Sequence, residues 1–422
     1  MSEHPHPAAS APGTPDWSST AGLAPGATPA PATAPPEVRA ESATPAQPGF
    51  ATPPRRRSVG MLVLAVIGFV VLGGVALVVG LYLLAGLGPA GLVIGAIMAL
   101  VPLAIVFAGI RWIDRWEPEP RGALVFAFLW GAGMSVLIAL VVDAEIRNVV
   151  AMAGGPSEAF EFFGAAIQAP IVEELGKGLG VLILFWTVRR HFDGPVDGIV
   201  YAATVAGGFA FTENILYFGT QLAEGGLLSG GTIEIFFIRG LMSPFAHVMF
   251  TAFIGAALGF AARRASALAG VGLFLVGAIP AILLHAFWNG ALFFVGDFYG
   301  YYLLVQVPMF LIAVAIVVAL RKQEQRLTAL RLGEYAAVGW LHPQEVAMLA
   351  TPAGRRTAQA WAARHGVPGL MRAFIRDATR LAHARQRILG GREGIGAHVD
   401  EAELLQRVAA SRHALMAGRA TP

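Results

Sequence analysis

Glu173, Glu174 and Lys177 fall within five residues of one another in "APIVEELGKGLG", inside a run that is otherwise hydrocarbon. An ionisable side chain at the centre of a spanning helix costs about 2.5–3.5 kcal/mol on insertion scales, so such residues are rare and point to function. Three later apolar runs carry groups of the same kind. Glu213 and Asn214 lie in "FAFTENILYF", His247 in "SPFAHVMFTAF", and His285 with Asn289 in "LLHAFWNGAL". Lys177 follows Glu173 by four residues and Glu174 by three, so on a helix it reaches either carboxylate. His285 and Asn289 share a face for the same reason. One lysine cannot neutralise two carboxylates, so at least one Glu needs a proton or another partner. Carboxylates at close quarters push their proton affinities apart, which is how acid/base pairs are made.

Three chemistries use such a set. In the first, a Glu acts as general base on a water that attacks a peptide carbonyl, with a His and an Asn donating to the oxyanion. In the second, His247, His285 and Glu213 hold a zinc ion and another Glu is the base, although no HExxH helix is present. In the third, buried Glu and His relay protons in a transporter, a class that usually shows paired repeats, and none is detectable here. The structural alternatives are an ion pair at Lys177 and interhelical hydrogen bonds, the commonest use of Asn214 and Asn289. No Ser–His pair or cysteine offers a covalent nucleophile.

The elements that must position these groups follow from composition. Of 422 residues 56% are hydrophobic and only 14% charged, against roughly 25% charged in a soluble protein, which implies a membrane protein. Eight apolar stretches approach the roughly 20 residues that span a bilayer: about 59–84, 89–110, 121–143, 162–187, 198–219, 236–260, 268–290 and 299–320. The fold expected is an all-α polytopic bundle of about eight transmembrane helices. Basic residues cluster in alternate loops, at Arg55–Arg57, Arg111, Arg115 and Arg121, Arg189 and Arg190, Arg263 and Arg264, and Arg321 and Lys322. By the positive-inside rule both termini are then cytoplasmic, in a bacterial-type plasma membrane. At 1.5 Å rise per residue, Glu173 and His247 lie roughly 15 and 16 Å below the outer surface, and Glu213 and His285 roughly 9 and 8 Å. All four therefore meet in the middle or outer half of the bilayer. Pro170, Pro244 and Pro280 lie in the same spans and free backbone carbonyls, as helices lining cavities do.

EExxK at 173–177, FxxxEN at 209–214, a lone His247 and HxxxN at 285–289, in order on consecutive spans, resemble the PrsW family of intramembrane proteases. "DRWEPEP", 114–120, looks like a further family signature, and its prolines give that loop a structural role. The similarity covers about residues 60–320. It implies kinship with the CAAX prenyl endopeptidases, described as glutamic intramembrane proteases needing no cofactor. Carried over, Glu173 is the base, Glu174 a supporting carboxylate, and His285 and Asn289 the oxyanion donors. His247 is a candidate to share in water activation. Lys177 and Asn214 support the site. The second motif ends in Glu213 rather than His, so its role is not transferred. The family also implies a membrane-anchored substrate, an anti-sigma factor or similar regulator, cut near its extracytoplasmic side.

Outside the 59–320 domain, residues 1–58 hold 13 of the 27 prolines and are expected to be disordered and cytoplasmic, too polar and long for a signal peptide. Residues 321–422 carry 16 basic and 8 acidic residues and read as a basic, helical cytoplasmic tail. One helix ends at Gly390 and Gly391. Another starts with Asp400 as N-cap and Glu403 three residues on, burying Leu404, Val408 and Leu415. Arg density in the tail suits anionic lipid headgroups or, more plainly, a solvated face. The expected partners are the substrate and the bilayer. No nucleic-acid motif is present, and the sequence fixes no oligomeric state.

Overall fold

The structure is a computed structural model that describes residues 59–152, 155, 157–189, 192–264, 269–391 and 395–417; the segment 1–58, expected to be disordered, lies outside the described residues. Every regular element among the described residues is helical. In lipid no water can pair with backbone groups, so an apolar chain crosses as helices that bond within themselves. In chain order these are α1 (Val59–Ile113), α2 (Arg121–Leu129), α3 (Val136–Met152), α4 (Glu158–Phe163), α5 (Ala169–Thr187), α6 (Pro195–Gly225), α7 (Gly230–Ile235), α8 (Ala246–Arg264) and α9 (Ala269–Ala291). They continue with α10 (Phe298–Tyr301), α11 (Val307–Ala337), α12 (Pro343–Leu349), α13 (Pro352–Arg364), α14 (Pro368–Leu389) and α15 (Ile395–Ala417).

Six described helices are long and apolar enough to cross a membrane: Val63–Ile113, Arg121–Met152, Pro195–Gly225, Gly230–Ala262, Gly270–Ala291 and Phe298–Ala337. Two features separate this set from the eight stretches expected. Gly88, with φ 69° and ψ 172°, breaks α1 in a conformation that favours glycine. Phe69 and Phe107 lie equally far along the chain from Gly88, yet they pack against Phe126 and Phe128, so the chain doubles back there. The second feature is α5, 19 residues long, whose Glu173, Glu174 and Lys177 make it more charged than the apolar stretches of those six.

Four helices are continued or joined by a wide π-helical turn: Trp130–Ser135, Gly164–Gln168, Phe236–Met242 and Tyr302–Gln306. The last three each end two residues before a proline, Pro170, Pro244 and Pro308. Proline has no N–H and its ring clashes with the carbonyl four residues back, and widening the turn relieves the clash. Carbonyls at these irregular turns are met by neighbouring side chains. Thr212 donates to the Ala132 carbonyl (2.8 Å), Asn289 to that of Ala165 (3.0 Å) and Tyr302 to that of Met242 (2.9 Å).

Glycines set where helices cross. A Cβ on Gly255 of α8 would stand 2.2 Å from the Gly198 carbonyl oxygen of α6, and one on Gly131 1.8 Å from that of Val205. Small residues at such crossings let backbones touch where burial alone gives little drive for association. Gly255→Ala is therefore expected to force α6 and α8 apart, at the upper end of the ~1–3 kcal/mol typical of overpacking. A lowered melting temperature in detergent would show it; an unchanged one would mean that the crossing relaxes.

Residues beyond 321 form a helical unit with its own core, including Leu332, Leu349, Phe374, Leu381, Leu404 and Val408. α14 ends at Gly390, as the sequence suggests, and Gly391 has φ 68°. The last helix differs from expectation: α15 starts at Ile395, so Asp400 lies inside it rather than capping it. Glu403, freed from a capping role, pairs one turn forward with Arg407 (3.2 Å).

This unit is fastened to the 114–120 loop. The Arg355 guanidinium lies 3.3 Å from the Trp116 ring centroid and donates to the Trp116 carbonyl (2.7 Å). Arg387 grips both oxygens of Asp193 at 2.8 Å. His383 Nδ1 lies 2.7 Å from Glu117 Oε2, an ion-pair contact off the line of a hydrogen bond. Burial by itself would raise the Glu117 pKa, but the adjacent His383 brings it down to about 2; burial would lower His383, but Glu117 holds it up at about 10. The Glu117 contribution is complete above its ordinary 4.5 and lost as pH falls toward 2. That of His383 is complete below 6.5 and lost as pH rises through about 10. Docking should thus be strongest between pH 4.5 and 6.5. Limited trypsinolysis of the Arg-rich tail across pH checks this, and His383→Gln should flatten the alkaline limb.

Candidate active site

The four motifs expected to meet do meet. α5 contributes Glu173, Glu174 and Lys177; α6 contributes Phe209, Glu213 and Asn214; α8 contributes His247; and α9 contributes His285 and Asn289. Lys177 is the hub. Its side chain is fully buried, and Nζ lies 2.6 Å from Glu174 Oε1, 3.1 Å from His247 Nδ1 and 3.4 Å from Glu173 Oε2. An ammonium group has three N–H bonds, one for each of these neighbours. The same nitrogen lies 4.4 Å from the centre of the Phe209 ring, a cation–π contact.

The two adjacent carboxylates are unequal. Glu174 is completely buried and saturated: besides Lys177, Oε1 lies 3.0 Å from His285 Nδ1, and Oε2 accepts from Thr251 Oγ1 at 2.8 Å. Glu173 keeps about a tenth of its side chain accessible, and its polar contacts among the described residues are the long one to Lys177 and His247 Nδ1 at 3.9 Å. The third carboxylate has a cation of its own. Arg239 Nη2 lies 2.5 Å from Glu213 Oε2, and that oxygen is also 2.8 Å from His247 Nε2. Lys177 and Arg239 thus offer two positive charges to three carboxylates, and Glu173 is the one left over.

The two imidazoles stand nearly perpendicular, with centroids 5.3 Å apart. His285 stacks on Phe250 at 4.6 Å. One nitrogen of each ring faces a carboxylate, Glu174 for His285 and Glu213 for His247. Ligand atoms of Glu173, His247 and His285 lie within 4.8 Å of one another, a set able to hold a metal ion; Glu213, the ligand expected from the sequence, stands behind His247 instead. Asn289 spends one amide N–H on the Ala165 carbonyl. The π-turn explains why: Ala169 N–H bonds back five residues to Gly164, and Pro170 has no N–H to offer Ala165 in its turn. Asn214 accepts from Arg239 Nε at 3.0 Å.

Arg239 and Thr251 are the residues sequence reasoning missed. Arg239 falls in none of the motif spacings, although it too is an ionisable group inside an apolar stretch. Thr251 sits one helical turn after His247, a spacing that could have drawn attention to it.

Residues 119–317 match the family model described as PrsW family intramembrane metalloprotease. Over this stretch the chain is similar to the PrsW family. "Protease PrsW" of Clostridioides difficile (strain 630) is 34% identical over 160 residues, 38% of this chain and 62% of that protein. "Protease PrsW" of Geobacillus kaustophilus (strain HTA426) is 32% identical over 142 residues, 34% and 55% of the two chains. The chain thus spans little more than half the length of these curated relatives. A longer match, 26% identical over 232 residues, covers 54% of this chain and 96% of "Protease PrsW" of Shouchella clausii (strain KSM-K16). No solved structure matches the chain. The match to this family and the six apolar helices make this a multi-pass bacterial membrane protein.

Proposed function

We propose that this chain is a PrsW-family intramembrane endopeptidase in which Glu173 activates the attacking water. The observation that carries this reading is the inequality of the carboxylates. Glu174 and Glu213 are each held by a cation and a further close partner, whereas Glu173 has only longer contacts among the described residues and keeps about a tenth of its side chain accessible. Glu173 takes a proton from water, the water oxygen bonds to the peptide carbonyl carbon, and the proton passes to the amine as the C–N bond breaks. Asn289 has a second amide N–H beside the one bonded to Ala165, and that one would serve the developing oxyanion. His285, whose Nδ1 faces Glu174, donates from Nε2 once that nitrogen carries a proton. The relatives' printed name, protease, favours hydrolysis over proton-coupled transport. The proposed substrate is a single-span membrane protein, an anti-sigma factor or similar regulator. Cleavage would fall in the outer half of the bilayer, with both termini of the protease in the cytoplasm.

A second reading has an observation in its favour. Glu173, His247 and His285 fit zinc in donor type, and a carboxylate behind each His is the usual support of a metal-bound imidazole. When bound there, such an ion would polarise the scissile carbonyl and acidify water. However, the Lys177 ammonium already lies against two of the three donors and would have to leave them. The metal-independent reading therefore stands first. Cleavage of a single-span substrate by the purified chain in liposomes tests both readings. Activity that survives a strong chelator supports the glutamate route. Loss with the chelator and recovery with zinc would favour the metal, and no cleavage under any condition sinks both.

A further inference from the structure

Arg239 lies on none of the four motifs, yet it occupies the wide turn Phe236–Met242 that Pro244 imposes ahead of α8. That turn sets its guanidinium against α6, where it addresses two consecutive residues. Nη2 meets Glu213 Oε2 at 2.5 Å and Nε meets Asn214 Oδ1 at 3.0 Å. The guanidinium also stacks over Tyr217, one turn on along the same helix, 3.9 Å from the ring centroid. Three contacts in different directions leave it little freedom, and a guanidinium is a fork that donates and never accepts.

The consequence falls on His247. Its Nε2 is 2.8 Å from Glu213 Oε2, the same oxygen that Arg239 holds. At the other end of the ring, Nδ1 lies 3.1 Å from the Lys177 ammonium, which likewise only donates. A ring with a donor at Nδ1 and an acceptor at Nε2 has one consistent arrangement: hydrogen on Nε2 and a bare lone pair on Nδ1. The acceptor at Nε2 is secured by Arg239. We propose that Arg239 is a positioning residue of the active site, holding Glu213 in place as an acceptor and so fixing His247 as the Nε2–H tautomer with Nδ1 turned toward Glu173 and Lys177. Without Arg239, Glu213 loses its anchor and the ring loses the partner that orients it. The inference rests on the proposed reading in assigning His247 to the reaction; the tautomer itself does not depend on that reading.

The test uses the full chain in liposomes, labelled with 15N-histidine. The His247 signals among the ten histidines are identified by their loss in His247→Gln. Ring 15N shifts separate a protonated from a bare nitrogen. In the wild type Nε2 should be protonated and Nδ1 bare. In Arg239→Gln the signals should show a mixture of tautomers, and turnover at saturating substrate should fall about 10–100-fold, the usual effect of losing an outer partner, with KM within about twofold. Arg239→Lys keeps the charge but not the fork, so it should lie between the two. It also serves if Arg239→Gln is not recovered folded. A wild-type Nδ1–H tautomer, or an unchanged tautomer in both variants, overturns the proposal. Absence of cleavage by the wild type would instead sink the proteolytic reading, and the tautomer would still decide the role of Arg239.

Discussion

Glu173→Gln should cut cleavage by orders of magnitude and leave the protein folded. Loss of a general base costs ~10²–10⁴-fold in rate, and the amide keeps the size of the side chain. Little else depends on this carboxylate, since its contacts are Lys177 at 3.4 Å and His247 at 3.9 Å. Glu174→Gln provides the contrast. It removes the charge that faces Lys177, His285 and Thr251 together, so it should lower stability as well as activity. Single-turnover cleavage measured beside thermal unfolding separates the two outcomes. Full activity in Glu173→Gln would rule it out as base. A collapse of stability in that variant would show Glu173 to be part of the scaffold.

Lys177→Met should be among the most destabilising single changes in the membrane domain. Lys177 is completely buried, and its loss leaves Glu174, also completely buried, without its nearest cation. Removing one partner of a buried ion pair costs about 3–5 kcal/mol, because the other charge stays in a medium that does not solvate it. Methionine fills most of the lysine stem's volume, so the loss reports charge more than packing. Adding Glu174→Gln to Lys177→Met should recover part of the stability, since the stranded charge is then gone. Denaturation in detergent measures both variants. A melting temperature for Lys177→Met equal to the wild type would show that water or another cation reaches Glu174.

Much of the site is legible in the sequence. Hydrocarbon tolerates an ionisable group only for a reason, so Glu173, Glu174, Lys177, Glu213, His247 and His285 stand out without any structure. Periodicity adds the neighbours on one helix, which is why Lys177 could be paired with both adjacent carboxylates in advance. Counting rise from the span ends set these groups at similar depth. The tail was less legible. Its helices followed from pattern, but the start of α15 did not, because the helix runs one further turn ahead of an acidic residue that resembled a cap.

The sequence by itself determined which residues are out of place in lipid and which of them share a helix face, because both follow from the cost of burying charge and from a fixed helical period. Only the tertiary structure decided how those faces meet. The α6–α8 crossing is set by bare glycine backbones at Gly198 and Gly255; the wide turn ahead of Pro244 places Arg239, and the one ahead of Pro170 presents the carbonyl that Asn289 bonds. These are distances between helices, and no spacing along one helix encodes them. They make Glu174 the saturated carboxylate, give Glu213 a cation of its own and leave Glu173 over. They also bring His383 and Arg387 to the 114–120 loop and Asp193, joining a tail that the sequence alone left apart.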